Sequence, residues 1–488
     1  MTLVTAACPN YASYSQQPHA PLSSGTLKLP YMRPSPECRT FNSPAVEKVI
    51  ADMKMLLKDP DLARLFENTF PNTLDTTVRY FNKTENVAFI ITGISNSAQW
   101  LRDTANQFAH YHDLLKDPDL GTLVRGVINN EARYIARYPY CGAFQPPPES
   151  HLAPTHNDWA NLVTVIPPVD NQMVFECKYE LDSLGGFLKL SRSYHQATGD
   201  TSFADGKWLE AIFQIFRVID EQSQATFDAD FNIVTYYSWT GQPGSLAGPV
   251  NNQGIGEPKG YTGMVGTHHR PSDDLSTYAF LTPANAMMSV ELANLVTVLE
   301  SLHPSDATQA ALVNELIHNA TTWSSRIRDA IYKYALTEEG SRYMMDDANV
   351  PSLLSLPYLG FVDKNDQNFQ KTRAQLLSRQ NPYYSQGPQF FGIGGPHASP
   401  TSPWPMSLIS AIFSTDSDTE IQTYLSTLMS STSGLGLIHE SVDIHDTTSY
   451  TRPWFAWANS YFAEMVLDLA KRKPGLILNT DKPYILGR

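Results

Sequence analysis

The chain has 488 residues, of which 42% are hydrophobic and 17% charged, a composition that is typical of a globular protein and excludes an intrinsically disordered one. Its 35 basic and 49 acidic residues give a net charge of −14, which argues against a nucleic-acid-binding protein because phosphate groups would be repelled. No apolar run approaches the ~20 residues needed to span a bilayer, so we expect neither nucleic acid nor a membrane as a partner.

The N-terminal region differs in character from the rest of the chain. Residues 8–42 are rich in Pro, Ser and Tyr and show little hydrophobic periodicity. We therefore predict that residues 1–42 form an extended arm lying on a folded body. No composition break or flexible linker divides residues 43–488, which predicts one domain there.

Three further features bear on the cellular compartment. Residues 2–7 resemble the small-residue tail beside a signal cleavage site, and four cysteines are compatible with two disulfides without fixing their pairing. Asn82 and Asn319 begin glycosylation sequons. Together these features predict a secreted glycoprotein whose signal peptide is absent from this sequence.

Hydrophobic periodicity predicts about a dozen helices. Ser43 followed by Pro44 is typical of an N-cap before the first helical residue and opens a helix through about Leu57. The other clear helical patterns cover about 101–115, 119–138, 179–198, 203–222, 283–302, 306–334, 404–414, 418–430 and 453–472.

A dozen helices in one domain can pair as six inner and six outer helices and close into an (α/α)6 barrel, or toroid. Stacked helical repeats would give the same count, but no fixed sequence period is visible. The sequence therefore predicts an all-α toroid whose long loops form a pocket and carry the function.

Four loops concentrate chemically active side chains. They are 99–104 with Trp100, Arg102 and Asp103; 178–183 with Asp182; 266–274 with Arg270, Asp273 and Asp274; and 434–441 with Glu440 after a Gly-containing apolar run. Each acid also has an ordinary structural interpretation, as a helix cap, a first-turn acid or a solvated turn residue.

Other chemistries have little support in the sequence. His268 and His269 are adjacent, so their side chains diverge, and no third ligand follows at a familiar spacing. The chain contains no nucleophile elbow, phosphate loop or dinucleotide fingerprint. We therefore predict no metal and no cofactor. Carboxylates, Arg, His and aromatic side chains suit a sugar, whose ring contacts aromatic faces and whose hydroxyls bind charged groups.

Six motifs occur in an order that resembles a known family. They are Trp100–Asp103, Tyr179–Leu184, His269–Asp274, Asp346–Ser352, Trp404–Met406 and His439–Ser441. In this order they resemble glycoside hydrolase family 125, the exo-α-1,6-mannosidases, and above all its fungal secreted members. The resemblance extends from about residue 28 to 480, although Leu101 stands where the family often has Pro.

The resemblance implies an (α/α)6 barrel and metal-independent removal of terminal α-1,6-linked mannose with inversion. Inversion needs two carboxyl groups about 6.5–9.5 Å apart, with a water between the base and the sugar. By motif position Glu440 is the expected general base. The acid lies among Asp273 and Asp274; we expect Asp274, with Asp273 orienting Arg270 or a substrate hydroxyl.

The same resemblance implies substrate-binding roles for the remaining residues. Arg102 and Asp103 would bind the terminal hydroxyls of the sugar beside the apolar Trp100. Asp182, Arg270 and His397 are further candidates for this pocket.

The expected partner is a mannoside or mannose-containing glycan, bound by a monomer. Two other functions stay open on the sequence alone. One is an inverting glycosidase of glucoamylase or trehalase type on the same fold. The other is a non-catalytic glycan-binding protein.

Overall fold

The secondary structure is that of a mainly helical protein. We describe a computed structural model of the chain over residues 8–93, 97–157, 160, 162–241, 251–337 and 347–486. Its helices are α1 (Tyr11–Tyr14), α2 (Pro44–Leu56), α3 (Pro60–Thr69), α4 (Asn72–Thr76), α5 (Leu101–Ala109), α6 (Pro118–Arg137), α7 (Leu181–Thr198), α8 (Gly206–Ser223), α9 (Thr282–Glu300), α10 (Ala307–Tyr334), α11 (Gln367–Leu376), α12 (Pro405–Phe413), α13 (Asp418–Ser430), α14 (Ala456–Arg472) and α15 (Pro474–Ile477).

The strands are short and pair antiparallel within loops. They are β1 (Val78–Asn82) with β2 (Val87–Ile90), β3 (Gln99–Trp100) with β4 (Ala143–Phe144), which also pairs with β6 (Val174–Glu176), β5 (Val163–Ile166) with β7 (Ser238–Gly241), β8 (Tyr384–Gln386) with β9 (Phe391–Ile393), and β10 (Ser441–Val442) with β11 (Tyr450–Thr451). No helix among the described residues combines the length and apolarity that crossing a bilayer would need.

The helices alternate along the chain between an inner and an outer layer. The inner helices α5, α7, α9, α12 and α14 are the most deeply buried, and they pack side by side in the order α9, α7, α5, α14, α12. The outer helices α6, α8, α10 and α13 each pack against an inner neighbour or the preceding outer helix. The predicted (α/α)6 barrel is confirmed.

One inner position differs from the prediction of six inner helices. Between α10 and α11, residues 349–361 are mostly buried but form turns rather than a helix. Tyr358 from this segment packs against Phe413 of α12 and Tyr461 of α14, which places the segment in the inner layer. Pro351 and Pro357 lack the backbone N–H that a helix requires, which explains why regular helix is absent here.

The inner helices direct their N-termini toward the same end of the barrel. Trp100 precedes α5, Glu180 precedes α7, Trp404 precedes α12 and Phe455 precedes α14. Helix N-termini carry partial positive charge and unpaired N–H groups, so acidic side chains are favoured there. This end of the barrel is therefore suited to a cluster of carboxylates.

The predicted cap at Ser43 is confirmed. Its side-chain oxygen accepts a hydrogen bond from the backbone N–H of Val46, and Pro44 is the first residue of α2. Because Pro has no N–H to leave unpaired, it is well suited to that position.

The N-terminal residues from Cys8 to Phe41 lie against α2, α3 and α4. Tyr11 packs edge-on against Trp454, which directly precedes Phe455 before α14, and a disulfide joins Cys8 to Cys38. Arg33 inserts between α2 and α4, where Asp75 and Glu47 accept its hydrogen bonds. The segment thus has specific polar and aromatic contacts with the body.

We expect Arg33→Met to lower the free energy of unfolding by roughly 3 kcal/mol, because it leaves Asp75 buried without its main partner. Arg33 and Asp75 are 4% and 3% exposed, while Arg39 stays 3.8 Å from Asp75 and limits the loss. Urea unfolding measures the change. The matched control is Lys83→Ala, which removes an ion pair whose side chains are 57% and 58% exposed and should cost at most about 1 kcal/mol. If Arg33→Met lowered the free energy of unfolding no more than Lys83→Ala does, the contact of the N-terminal arm through Arg33 would contribute little to stability.

Candidate active site

A cavity opens at the end of the barrel where the inner helices begin. The space between its walls, including the part open to solvent, amounts to about 360 Å³. Its walls are polar and aromatic side chains from five loops: Thr92, Trp100, Arg102, Asp103, Pro271, Ser272, Asp273, Asn349, His397, Trp404, Glu440, Arg452, Phe455 and Trp457.

Arg102 is the central charged group of this wall. Its Nε donates to Oδ2 of Asp103 at 3.1 Å, its Nη1 to Oε2 of Glu180 at 2.7 Å, and its Nη2 lies 3.4 Å from Oδ1 of Asp273. The guanidinium carbon is also 5.4 Å from the Trp457 ring centroid. The planar guanidinium can contact several carboxylates at fixed angles, which a lysine could not.

Trp100 forms part of the apolar wall and contacts a carboxylate as well. It ends β3, which pairs with β4, and its ring packs edge-on against Phe175 of β6 at 5.4 Å. The disulfide between Cys141 and Cys177 flanks the same small sheet. With the ring held in this way, the indole Nε1 donates to Oδ1 of Asp273 at 3.2 Å.

Asp273 and Asp274 diverge because of the backbone conformation of their turn. The Arg270 N–H donates to the Asp274 carbonyl and the Asp273 N–H to the Arg270 carbonyl, and Asp273 has a φ of +66°. Asp tolerates this left-handed region better than most residues. As a result the Asp273 carboxyl lines the cavity, while the Asp274 carboxyl accepts from Ser272 Oγ at 2.6 Å and lies 3.4 Å from His397 Nδ1.

Glu440 lies in the cavity wall, on the loop before α14. Its Oε2 accepts from Thr451 Oγ1 at 2.9 Å, and its Oε1 forms an ion pair with Arg452 Nε at 2.9 Å. Both partners come from β11 or the residue after it, and the strand pair β10–β11 brings them back to Glu440. The Glu440 carboxyl is thus held by side chains about ten residues further along the chain.

His397, a candidate from the sequence, is among the residues that line the cavity. Its hydrogen bond with Asp274 raises the pKa of its imidazole, and the carboxylates Glu440 and Asp273 add to this effect. An imidazolium at this position would attract the nearby carboxylates and can donate to a hydroxyl of a bound molecule.

Two other predicted residues lie behind the wall. Asp182 is fully buried in the first turn of α7, 3.8 Å from Arg102 Nη1, and burial raises its pKa to about 7 despite that guanidinium. Arg270 contacts Asp347 at 3.6 Å and Thr277 at 3.0 Å, with the Tyr383 ring alongside. Both can orient cavity residues, but neither is among those that line it. Asp346 of the fourth motif lies outside the described residues.

Several residues of the site escaped the sequence analysis. Trp457, Asn349 and Arg452 line the cavity, and Glu180 accepts a hydrogen bond from Arg102. The position of Glu180 could have marked it as a site residue. It directly precedes α7, just as Trp100 directly precedes α5.

The acids around Arg102 differ in their pKa values, because burial and the Arg102 charge act on them to different extents. Burial raises the pKa of Asp103 to about 6, although Arg102 lowers it in part. Burial likewise raises the pKa of Glu180 well above its usual range. Burial would also raise the pKa of Asp273, but Arg102 and Lys178 outweigh it and hold that pKa below its usual value. The surroundings thus shift the pKa values of these neighbouring carboxyls in opposite directions.

No group of three or more His, Cys, Asp or Glu side chains within the described ranges is arranged to hold a metal ion. The side chains that line the wall suit acid–base chemistry on a polar ligand. Its donors and acceptors are Arg102, Asp103, Asp273 and Glu440, and its flat apolar surfaces are tryptophans.

The chain is similar to known proteins. A family model described as metal-independent α-mannosidase (GH125) matches residues 59–467. The meiotically up-regulated gene 157 protein of Schizosaccharomyces pombe is 44% identical over 492 residues, covering 96% of this chain and 94% of that protein.

A solved structure is also similar. It is a metal-independent α-mannosidase of Streptococcus pneumoniae in a non-productive substrate complex with α-1,6-mannobiose. The TM-score is 0.77 at 27% sequence identity, with 88% of this chain and 99% of that chain covered.

Proposed function

Because the chain belongs to glycoside hydrolase family 125, the metal-independent α-mannosidases, we propose that it removes terminal α-1,6-linked mannose from mannosides or glycans with inversion of configuration. The observation that carries the proposal is the presence of two carboxyls, Asp273 and Glu440, in the wall of one small polar cavity. The bound α-1,6-mannobiose of the streptococcal structure supports the choice of sugar and linkage.

In the proposed reaction Glu440 is the general base. It takes a proton from a water, whose oxygen then attacks the anomeric carbon from the face opposite the leaving group. Thr451 and Arg452 hold the Glu440 carboxylate in place. A base fixed in this way loses little freedom when the water binds.

We propose Asp273 as the general acid. From the sequence we expected Asp274, with Asp273 as the alternative. Asp273 lines the cavity, whereas the Asp274 carboxyl is engaged by Ser272 and His397. The acid protonates the glycosidic oxygen as the bond between that oxygen and the anomeric carbon breaks. The electron pair of this bond goes to the leaving sugar, and the water forms the new bond.

Arg102 and Asp103 are proposed to bind the hydroxyls of the terminal mannose. They form one donor–acceptor pair at the cavity wall, 3.0 Å apart, and both are almost fully buried. The tryptophans Trp100, Trp404 and Trp457 offer apolar surfaces for the ring. A small cavity lined in this way favours the end of a chain over its interior, which is the basis for proposing exo action.

We further propose that the protein follows the secretory route. Two disulfides, Cys8–Cys38 and Cys141–Cys177, account for all four cysteines, and disulfides are typical of oxidising compartments. Asn82 lies at the end of β1 beside an exposed hairpin turn, whereas Asn319 lies within α10. Asn82 is accordingly the better candidate for glycosylation.

Proton NMR of the protein with α-1,6-mannobiose and a chelator tests the reaction. We expect β-mannose to appear first and to mutarotate later, because an inverting enzyme converts an α-linkage into a β-product. The α-1,2- and α-1,3-linked mannobioses serve as matched controls for linkage. First appearance of α-mannose would contradict inversion. Binding without release would favour a glycan-binding protein, and release of glucose from α-glucosides would favour the glucoamylase-type alternative.

A further inference from the structure

A second cavity lies at the end of the barrel opposite to the candidate active site. Its walls come from the middle and C-terminal turns of α5, α7, α12 and α14, from the inner segment around Tyr358 and from residues 484–486. Asp182 stands in the first turn of α7, behind the active site, whereas Arg192 of the same helix lines this second cavity. At about 1.5 Å per helical residue the two positions are roughly 15 Å apart along the helix. Among the described residues the two cavities share no lining side chain.

The second cavity has the size and surface of a ligand pocket. Its volume of about 680 Å³ falls within the ~300–1,000 Å³ that is typical of small-molecule sites. The rings of Tyr358 and Phe413 line it with their centroids 5.0 Å apart, and both side chains are partly exposed. Leu467 and Ile485 add further apolar surface. An apolar ring face can therefore be covered on one side of the cavity.

A chain of polar contacts runs along the same wall. The Nζ of Lys189 donates to Asn106 Oδ1 at 3.0 Å and to the Tyr358 hydroxyl at 2.9 Å, and that hydroxyl donates to Glu464 Oε2 at 2.9 Å. An ammonium group has three protons, so Lys189, which is only 8% exposed, keeps one for a further acceptor. Within the described ranges Glu464 accepts a hydrogen bond at Oε2 alone, which leaves its Oε1 for a further donor.

His110 adds an acceptor to the lining. Its Nε2 lies 2.8 Å from the Phe70 carbonyl oxygen, a contact that requires the ring proton on Nε2. Because burial lowers the pKa of the His110 imidazole to about 3, the ring is neutral and Nδ1 carries no proton. This Nδ1 is buried without a hydrogen-bond partner in the described part of the chain. A hydroxyl or a bridging water is the kind of donor that it lacks.

The charges of the lining indicate the class of ligand. Basic and acidic side chains are present in equal number, four of each. Arg192 is paired with Glu291 at 2.7 Å and Lys364 with Asp416 at 2.6 Å, which leaves little net field for a charged molecule. A hydroxyl both donates and accepts, so a neutral polyhydroxylated molecule can use the free positions on Lys189 and Glu464 together.

We propose that this cavity is a second saccharide-binding site, which takes a neutral mono- or disaccharide far from the catalytic carboxyls. Lys189 and Glu464 bind hydroxyls of the sugar, and the rings of Tyr358 and Phe413 cover its apolar face. The site is independent of the proposed function, because none of its residues lines the cavity that contains Asp273 and Glu440.

Equilibrium dialysis with radiolabelled mannose tests the proposal. We expect the wild type to bind two mannose molecules per chain, one in each cavity. Ser193→Trp places an indole in the second cavity and should lower the count by one; Ser193 is a partly exposed lining residue, and its replacement keeps Lys189, Tyr358 and Glu464. The matched control Ser325→Trp makes the same change at an exposed position of α10 outside the cavity and should leave the count unchanged.

Equal counts for the two tryptophan variants would overturn the proposal. If the active site takes no mannose, the wild type binds one molecule and Ser193→Trp none, so the proposed function can fail while the second site stands. Glu464→Gln provides a variant without added bulk. Its amide keeps the size of the side chain and can still accept from Tyr358, but mannose should bind the second site about tenfold more weakly, because hydrogen bonds to charged groups are the stronger ones. Unchanged affinity in Glu464→Gln would contradict the role of that carboxylate.

Competition with inorganic phosphate tests the class of ligand. Because the acidic and basic side chains of the lining balance, phosphate should leave the mannose count of Ser325→Trp unchanged. Loss of one bound mannose in Ser325→Trp, with none lost in Ser193→Trp, would overturn the assignment to a neutral saccharide and indicate an anion site in the second cavity.

Discussion

Turnover of α-1,6-mannobiose should fall by roughly 10²–10⁴-fold when Glu440 is replaced by Gln, since a positioned general base contributes about that much to the rate. The amide keeps the size of the side chain and can still contact Thr451 and Arg452, but it cannot accept a proton from water. We expect KM to change little, because the base acts on water and not on the sugar. Steady-state kinetics with reducing-sugar detection measure the effect.

Two further variants make this result specific. Asp446→Asn changes an exposed acid on the same loop and should retain full activity. Glu440→Ala leaves space for a small anion, so added azide should restore turnover of an activated aryl mannoside and yield β-mannosyl azide. Near-normal activity of Glu440→Gln on mannobiose would show that another group activates the water.

The second large effect is expected at Asp273. Asp273→Asn should reduce kcat on α-1,6-mannobiose by about 10²–10⁴-fold, because the leaving sugar then departs without protonation. The Asn oxygen can still accept from Trp100 Nε1 and Arg102, so the wall of the cavity is preserved. The loss should nearly vanish on an aryl α-mannoside with a strongly acidic phenol, which leaves without help. The ratio of the two rates is therefore the measurement.

Asp274→Asn is the matched comparison, because it makes the same chemical change one residue away. It removes the partner of His397 and Ser272 but no carboxyl of the cavity lining, and we expect a loss of less than about tenfold on both substrates. The reverse pattern, with Asp274→Asn inactive on mannobiose and Asp273→Asn active, would assign the acid to Asp274.

Much of the architecture followed from local sequence signals. Ser43 and Pro44 marked the beginning of α2, and hydrophobic periodicity located the inner helices α5, α7, α9, α12 and α14, because both signals depend on residues only a few positions apart. The sixth inner position was not foreseen in detail. Pro351 and Pro357 prevent a helix there, while burial keeps the segment in the inner layer.

The sequence by itself determined which loops we propose for the chemistry, since motif order indicated Arg102, Asp103, Glu440 and the pair Asp273 and Asp274. Only the tertiary structure decided which carboxyl of the pair Asp273 and Asp274 faces the cavity. The reason is the left-handed φ of Asp273 in a turn whose start is held by hydrogen bonds from the His268 and His269 N–H groups to the Tyr179 carbonyl, some ninety residues earlier. The contact of Glu180 with Arg102 has the same origin, because α5 and α7 meet only when the barrel has formed. Such contacts join residues far apart in the chain, where neither periodicity nor spacing carries information about them.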